Sequence, residues 1–170
     1  MKRFVLMMAV GLCLLCPLAA EAQRLEVSGS LLAGTGLSVG MGAGTSLAQR
    51  NATAVAVQIL AGNSELRWLR YGLTIRSEVE GKVTLGLVPQ LMLLRFFGRF
   101  SLGGLIGLPL IIAPRSLYGV EVGGVVSFAF VEWAAVVGQL LFSFYPLGSD
   151  LPEGSNLTMI QLFVGVEFRF

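Results

Sequence analysis

From Tyr118 to Phe130 the chain alternates with a period of two. Tyr118, Val120, Val122, Gly124, Val126, Phe128 and Phe130 fall on one face; Gly119, Glu121, Gly123, Val125, Ser127 and Ala129 fall on the other. Successive side chains of an extended strand point to opposite sides, so this is a strand with one large apolar face and one small or polar face. Phe100 to Ile112 repeats the pattern, with Phe100, Leu102, Ile106, Leu108, Leu110 and Ile112 against Ser101, Gly103, Leu105, Gly107, Pro109 and Ile111. Strands of this kind stand between lipid and a polar lumen.

The competing reading is a bundle of membrane helices, because Val83 to Tyr145 is strongly apolar. Each such helix needs about 20 mostly apolar residues. Pro89, Pro109 and Pro114 interrupt the first half of the region, and Glu121 and Glu132 would bring carboxylates toward the bilayer interior of the second. Repeated glycines lower helix propensity further. The period of two prevails.

Extending the pattern along the chain predicts eight strands. The first is long and glycine-interrupted, from Leu25 through Met41; a turn at Gly34-Thr35-Gly36 would make nine strands, against the even number usual in single-chain bacterial barrels. Gly44 to Asn51 reads as an outer loop, Thr53 to Leu60 as the second strand and Ala61-Gly62-Asn63-Ser64 as a turn. The third strand runs from Leu66 to Arg76, followed by a charged loop from Ser77 to Lys82. The fourth, Val83 to Arg95, is apolar on both faces. The fifth and sixth are the two stretches above, joined near Ala113-Pro114-Arg115-Ser116; Val131-Glu132 is the tight turn that follows. Ala134 to Tyr145 is the seventh, Pro146 to Ser155 the longest loop, and the eighth ends the chain. Pro89 and Pro109 fall inside strands, where each removes a ladder donor, so bulges or strand ends are expected there.

In that last strand Leu162, Val164, Val166, Phe168 and Phe170 share one face, and Gln161, Phe163, Gly165, Glu167 and Arg169 the other. The terminal aromatic Phe170, with Phe168 and Gly165 before it, resembles the C-terminal assembly signal of bacterial outer-membrane β-barrels. The resemblance covers about one strand. It implies a closed, antiparallel, up-and-down transmembrane β-barrel, delivered to the outer membrane by the barrel-assembly machinery and surrounded by outer-membrane lipid as a monomer. The other end of the chain agrees with export. Lys2 and Arg3 precede an apolar run from Phe4 to Leu18, and Ala20-Glu21-Ala22 is a small-x-small cleavage site, so residues 1–22 read as a signal peptide and 23–170 as one barrel domain. Cys13 and Cys16 lie in the leader, which leaves the mature chain without a thiol.

Composition narrows the function. The chain is 55% hydrophobic and only 13% charged, too apolar for an ordinary soluble domain. Removing Lys2, Arg3 and Glu21 leaves 10 basic and 9 acidic residues, a net charge of +1, which offers nucleic acid no basic excess. Histidine is absent. A Ser-His-Asp triad is therefore impossible, and the barrel families that act as acyltransferases, deacylases, phospholipases or omptin proteases use a histidine. Gly40-Met41-Gly42-Ala43-Gly44 lacks the Lys-Ser/Thr ending and following helix of a phosphate loop. No enzyme, cofactor or metal site is expected.

The eighth-strand parity and its counterparts point Arg70, Arg76, Glu121, Glu167 and Arg169 inward, with Gln90, Gln139 and Gln161. Eight strands make a barrel that side chains can fill, so a lumen plugged by arginine–glutamate pairs is the leading expectation. The interior also takes Val88, Met92, Leu105, Ile111, Val125, Val137, Leu141, Met159 and Phe163, which leaves a narrow channel or a pocket for a small hydrophobic or lipid-like ligand as the alternative. Trp68, Phe96, Phe97, Phe100, Phe130 and Trp133 gather at the tight-turn end, forming an aromatic girdle with Phe168 and Phe170.

Overall fold

A computed structural model describes residues 25–42, 45–63, 65–80, 83–113, 116–149 and 155–170. The expected leader and cleavage site and both cysteines lie outside the described residues, as do residues 43–44, 64, 81–82, 114–115 and 150–154. The strands are β1 (Leu25–Gly42), β2 (Thr45–Arg50), β3 (Ala54–Asn63), β4 (Leu69–Glu78), β5 (Thr84–Phe97), β6 (Phe100–Gly107), β7 (Leu110–Ala113), β8 (Leu117–Val131), β9 (Ala134–Gly148) and β10 (Asn156–Arg169). They form one antiparallel sheet in the order β10-β9-β8-β6-β5-β4-β3-β1, and β1 returns to β10 from Ser28↔Arg169 to Met41↔Asn156. The sheet closes on itself, so its main strands leave no free edge.

β6 and β7 are one stave of this barrel. Gly107 lies opposite Gln90 and Glu121, and Leu110 opposite Leu87 and Tyr118, so the register is the same on both sides of Leu108-Pro109. At Pro109 the expected strand end forms, between Gly107 and Leu110, whereas Pro89 stays inside β5 with neither a bulge nor an end. Pro89 still accepts from the Leu108 N–H at 3.0 Å and Pro109 from the Gly119 N–H at 3.1 Å, so each proline forfeits only its own donor. The register instead slips at Leu85/Gly86, Tyr118/Val120 and Ala129/Val131.

Other boundaries move for similar reasons. Thr45–Arg50, expected as loop, is β2, which folds back on the outer part of β1 from Leu37↔Arg50 to Gly42↔Thr45. Asn51 then tucks inward, its N–H donating to Gly36 O at 2.8 Å. Ala61 and Gly62, expected as a turn, instead pair with Tyr71 and Arg70, and the turn falls at residues 65–68. Glu132-Trp133 is the β8–β9 turn, one residue later than expected. β1 runs unbroken through Gly34 and Gly36.

Outside, every stave presents a large exposed apolar residue: Leu31, Val57, Leu73, Leu91, Leu102, Val122, Leu140 and Leu162 form one such ring. A belt that encircles the molecule is stable only in lipid. Inside, alternate residues are buried, and Leu32, Leu60, Met92, Leu94, Leu105, Val125, Val137, Leu141 and Phe163 pack into one core. Glycines on the inner face make room for it. Gly34 lies opposite Phe163, Gly103 opposite Leu94 and Gly123 opposite Leu141. A Cβ on Gly34 would stand 2.7 Å from the Phe163 ring, so the ring occupies the space the missing side chain leaves.

Candidate functional site

The lumen carries two charged clusters separated by apolar packing and an amide bridge. Near the tight-turn end, Arg70 of β4 donates from Nη1 to Glu167 Oε1 of β10 at 3.1 Å and to Ser28 Oγ of β1 at 3.2 Å. Arg169 donates from Nε to the same Glu167 oxygen at 2.6 Å. Two inward positions on β10, two residues apart, thus meet one inward position on β4 across the lumen.

The second cluster lies toward the long-loop end. Arg76 holds Glu121 of β8 through both terminal nitrogens, Nη1 to Oε2 at 2.9 Å and Nη2 to Oε1 at 3.2 Å. Arg76 Nη1 also donates to Gln161 Oε1 at 3.1 Å, and Ser143 Oγ donates to Glu121 Oε2 at 2.6 Å. The Arg76 guanidinium carbon lies 5.0 Å from the centre of the Phe163 ring, near enough for a cation–π contribution. Glu121 is completely buried. A carboxylate in that position requires a charge-assisted, bidentate partner, and Arg76 supplies one.

Between the clusters Gln139 Nε2 donates to Gln58 Oε1 at 3.2 Å, and Gln58 Nε2 donates to Thr74 Oγ1 at 3.2 Å. Ser101 and Ser127 share a 2.6 Å hydrogen bond. Arg76 Nε and Gln90 Nε2 are buried without a hydrogen-bonding partner among the described residues. A cavity of about 20 Å³ lined by Arg76, Glu78, Tyr145 and Gln161 lies at the long-loop side, large enough for one water. At the tight-turn mouth a larger cavity of about 310 Å³ is lined by Glu26, Ser28, Arg70, Glu132, Trp133, Arg169 and Phe170. The packed core lies between these two ends.

The structure places all five expected charged residues inside and joins them as two separate groups. Gln90, Gln139 and Gln161 also point inward. Thr74 is buried on the inner face, as its place between outward Leu73 and Ile75 predicts. Sequence reasoning did not single out Gln58, Ser28 and Ser143, which complete the clusters; each sits on the inner phase of its strand, and that phase was the available signal. In the strand-end region, Gly165 packs against the Leu31 carbonyl, and Phe168 stacks on Trp133 at 6.2 Å. Phe170 is 84% exposed, while its backbone pairs with Val27. Trp68, Phe97, Phe100, Phe130 and Trp133 line the tight-turn rim as exposed aromatics. Phe96 departs from the expectation of a girdle facing lipid: it pairs with inward Ser101 and so edges the mouth of the lumen. Beyond β4, Thr53 Oγ1 donates to Glu80 Oε1 at 2.5 Å and holds that exposed carboxyl below its ordinary range.

The sequence matches no protein-family model and no curated protein. Among solved structures the chain is similar to Neisserial surface protein A (NspA), with 12% identity, 84% of this chain and 97% of that chain covered, and a TM-score of 0.51. It also matches Ail, the attachment invasion locus protein of Yersinia pestis, in a structure with the heparin analogue sucrose octasulfate, at 16% identity, 85% and 99% coverage and a TM-score of 0.42. At such identities the likeness to NspA is one of fold, that of an antiparallel β-barrel.

Proposed function

We propose that the protein is a non-enzymatic outer-membrane β-barrel whose lumen is closed by its own side chains, and that it serves a structural or surface-interaction role. The observation that carries this reading is the Arg76–Glu121 pair, fixed at 2.9 and 3.2 Å across the lumen above a packed apolar core. Arginine cannot escape burial by losing its proton, so a buried Arg76 needs the carboxylate that faces it. The neighbouring fold of NspA supports a barrel in the outer membrane. The surface part of the role is supported by the β1–β2 hairpin at the long-loop end, where Ala48, Gln49 and Arg50 are exposed.

Planar bilayer recording tests the closed lumen. Purified monomer is expected to show no stable conductance of porin size, because eight staves leave no aqueous channel once side chains are in place. Large, reproducible steps from a verified monomer would overturn the reading.

A further inference from the structure

We propose that one side of the tight-turn rim, at the β3–β4 and β5–β6 turns, binds the headgroup of an anionic phospholipid through Arg67, Arg95 and Arg99. The inference rests on the membrane-spanning reading above.

Arg95 follows Leu91 and Leu93 on the outward phase of β5, a face of the barrel that meets lipid. Its guanidinium carbon lies 5.4 Å from the centre of the Phe97 ring. Phe97 is the last residue of β5, so the side chain runs along the wall toward the rim. A long cationic side chain takes that direction when its stem lies in hydrocarbon and its head seeks the polar layer. The β3–β4 turn that carries Arg67 is brought beside this end of β5: Leu69 pairs with Leu93, and Trp68 O accepts from Leu94 N at 2.7 Å. Arg99 follows Gly98, whose φ of 62° makes the β5–β6 turn, and Arg99 O accepts from Ala129 N at 2.8 Å.

Among the described residues none of these three arginines forms a salt bridge. Glu65, in the β3–β4 turn, is the one carboxylate on their turns. The far side of the same end differs in sign, with Glu26 and Glu132 there and Arg169 already held by Glu167. Three guanidiniums at the upper edge of an apolar wall, beside exposed Trp68 and Phe100, match a phosphodiester with acyl chains. A soluble anion would gain nothing from the wall. A zwitterionic headgroup would bring its ammonium against the arginines, so a net-negative phospholipid is favoured.

The two tryptophans make the test local. Trp68 adjoins the patch and Trp133 occupies the β8–β9 turn, about three staves away at the same end. Trp133→Phe and Trp68→Phe proteins, each folded into phosphatidylcholine vesicles containing a minority of phosphatidylglycerol, report on their own surroundings when one lipid or the other carries bromine on its chains. Quenching of Trp68 should give a relative association constant about fivefold in favour of phosphatidylglycerol. Trp133 should show little preference, and Arg67→Gln/Arg95→Gln/Arg99→Gln should bring Trp68 to the same level. If the triple variant does not fold, Arg95→Gln alone should at least halve the preference. Equal quenching of Trp68 by the two lipids overturns the site, as does an equal preference at Trp133 or a preference that survives these substitutions. Absence of quenching at both tryptophans by both lipids overturns the membrane-spanning reading itself.

Discussion

Arg76 and Glu121, 45 residues apart in sequence, meet across the lumen in a two-bond fork of 2.9 and 3.2 Å. The pair is deeply buried; Ser143 donates to the same Glu121 Oε2, and Gln161 Oε1 accepts from the same Arg76 Nη1. Glu121→Gln keeps the shape but removes the charge that balances Arg76. It is expected to destabilise the barrel by about 3–5 kcal/mol. Glu65→Gln, in an exposed turn, should leave the urea midpoint in lipid vesicles unchanged. Equal midpoints for the two variants would remove the pair from the stability of the fold.

A second expectation concerns the fit of Phe163 over Gly34. A methyl group at Gly34 would meet both the Leu162 carbonyl and the Phe163 ring, the ring at 2.7 Å. Because one of the obstacles is backbone, the ring alone cannot relieve the clash by turning. Gly34→Ala should therefore cost about 1–3 kcal/mol. At Gly29, on the outward phase of the same strand, nothing lies within 4 Å of the added Cβ. Urea unfolding should separate the two variants, with Gly29→Ala close to the parent protein.

These sites differ in how well the sequence announced them. Alternation alone puts Arg70, Arg76, Glu121, Glu167 and Arg169 on the inner phase, since a charge breaks an otherwise apolar or small pattern. It does not say which arginine meets which glutamate: that depends on stagger between β4, β8 and β10, which are distant in sequence and set by ladder registers such as Arg76↔Gly86 and Glu121↔Ser143. Gln58 was less visible because one polar residue among Val55, Ala56, Val57 and Ile59 carries little periodic signal. β2 was hidden by the glycines before it, which read as loop chemistry until β1 is seen to extend far enough to pair with it. Pro89 and Pro109 suggested disruption, yet each keeps its carbonyl in the ladder. Their neighbours hold the register through the loss of one donor apiece.

The chain end allows signal and structure to be separated. Phe168 stacks on Trp133, whereas the Phe170 ring is exposed and only its backbone ties β10 to Val27. Phe170→Ser should leave the urea midpoint of vesicle-folded protein unchanged while reducing the heat-modifiable folded band in outer-membrane fractions of expressing cells. Phe168→Ser should lower both. A cell-derived folded band that is undiminished by Phe170→Ser would count against an assembly role for the terminal aromatic.

Glu167 Oε1 serves two arginines at once, Arg70 at 3.1 Å and Arg169 at 2.6 Å, and the two differ in exposure. The Arg70 side chain is 8% exposed and the Arg169 side chain 25%. Replacing Glu167 by Met leaves the buried Arg70 with the Ser28 hydroxyl but no carboxylate, while the more exposed Arg169 can turn toward water. The expected cost of Glu167→Met is about 3–5 kcal/mol, set by Arg70. Removing Arg70 as well removes the uncompensated charge, so Arg70→Met/Glu167→Met should be more stable than the sum of the single losses implies, by about 1–3 kcal/mol. In the parallel cycle with Arg169→Met the coupling should be below about 1 kcal/mol, as for a pair screened by solvent. Urea midpoints of the four proteins in each cycle decide between them. Coupling of equal size in both cycles would mean that exposure at the mouth does not govern the pair, and that Arg169 is held as tightly as Arg70.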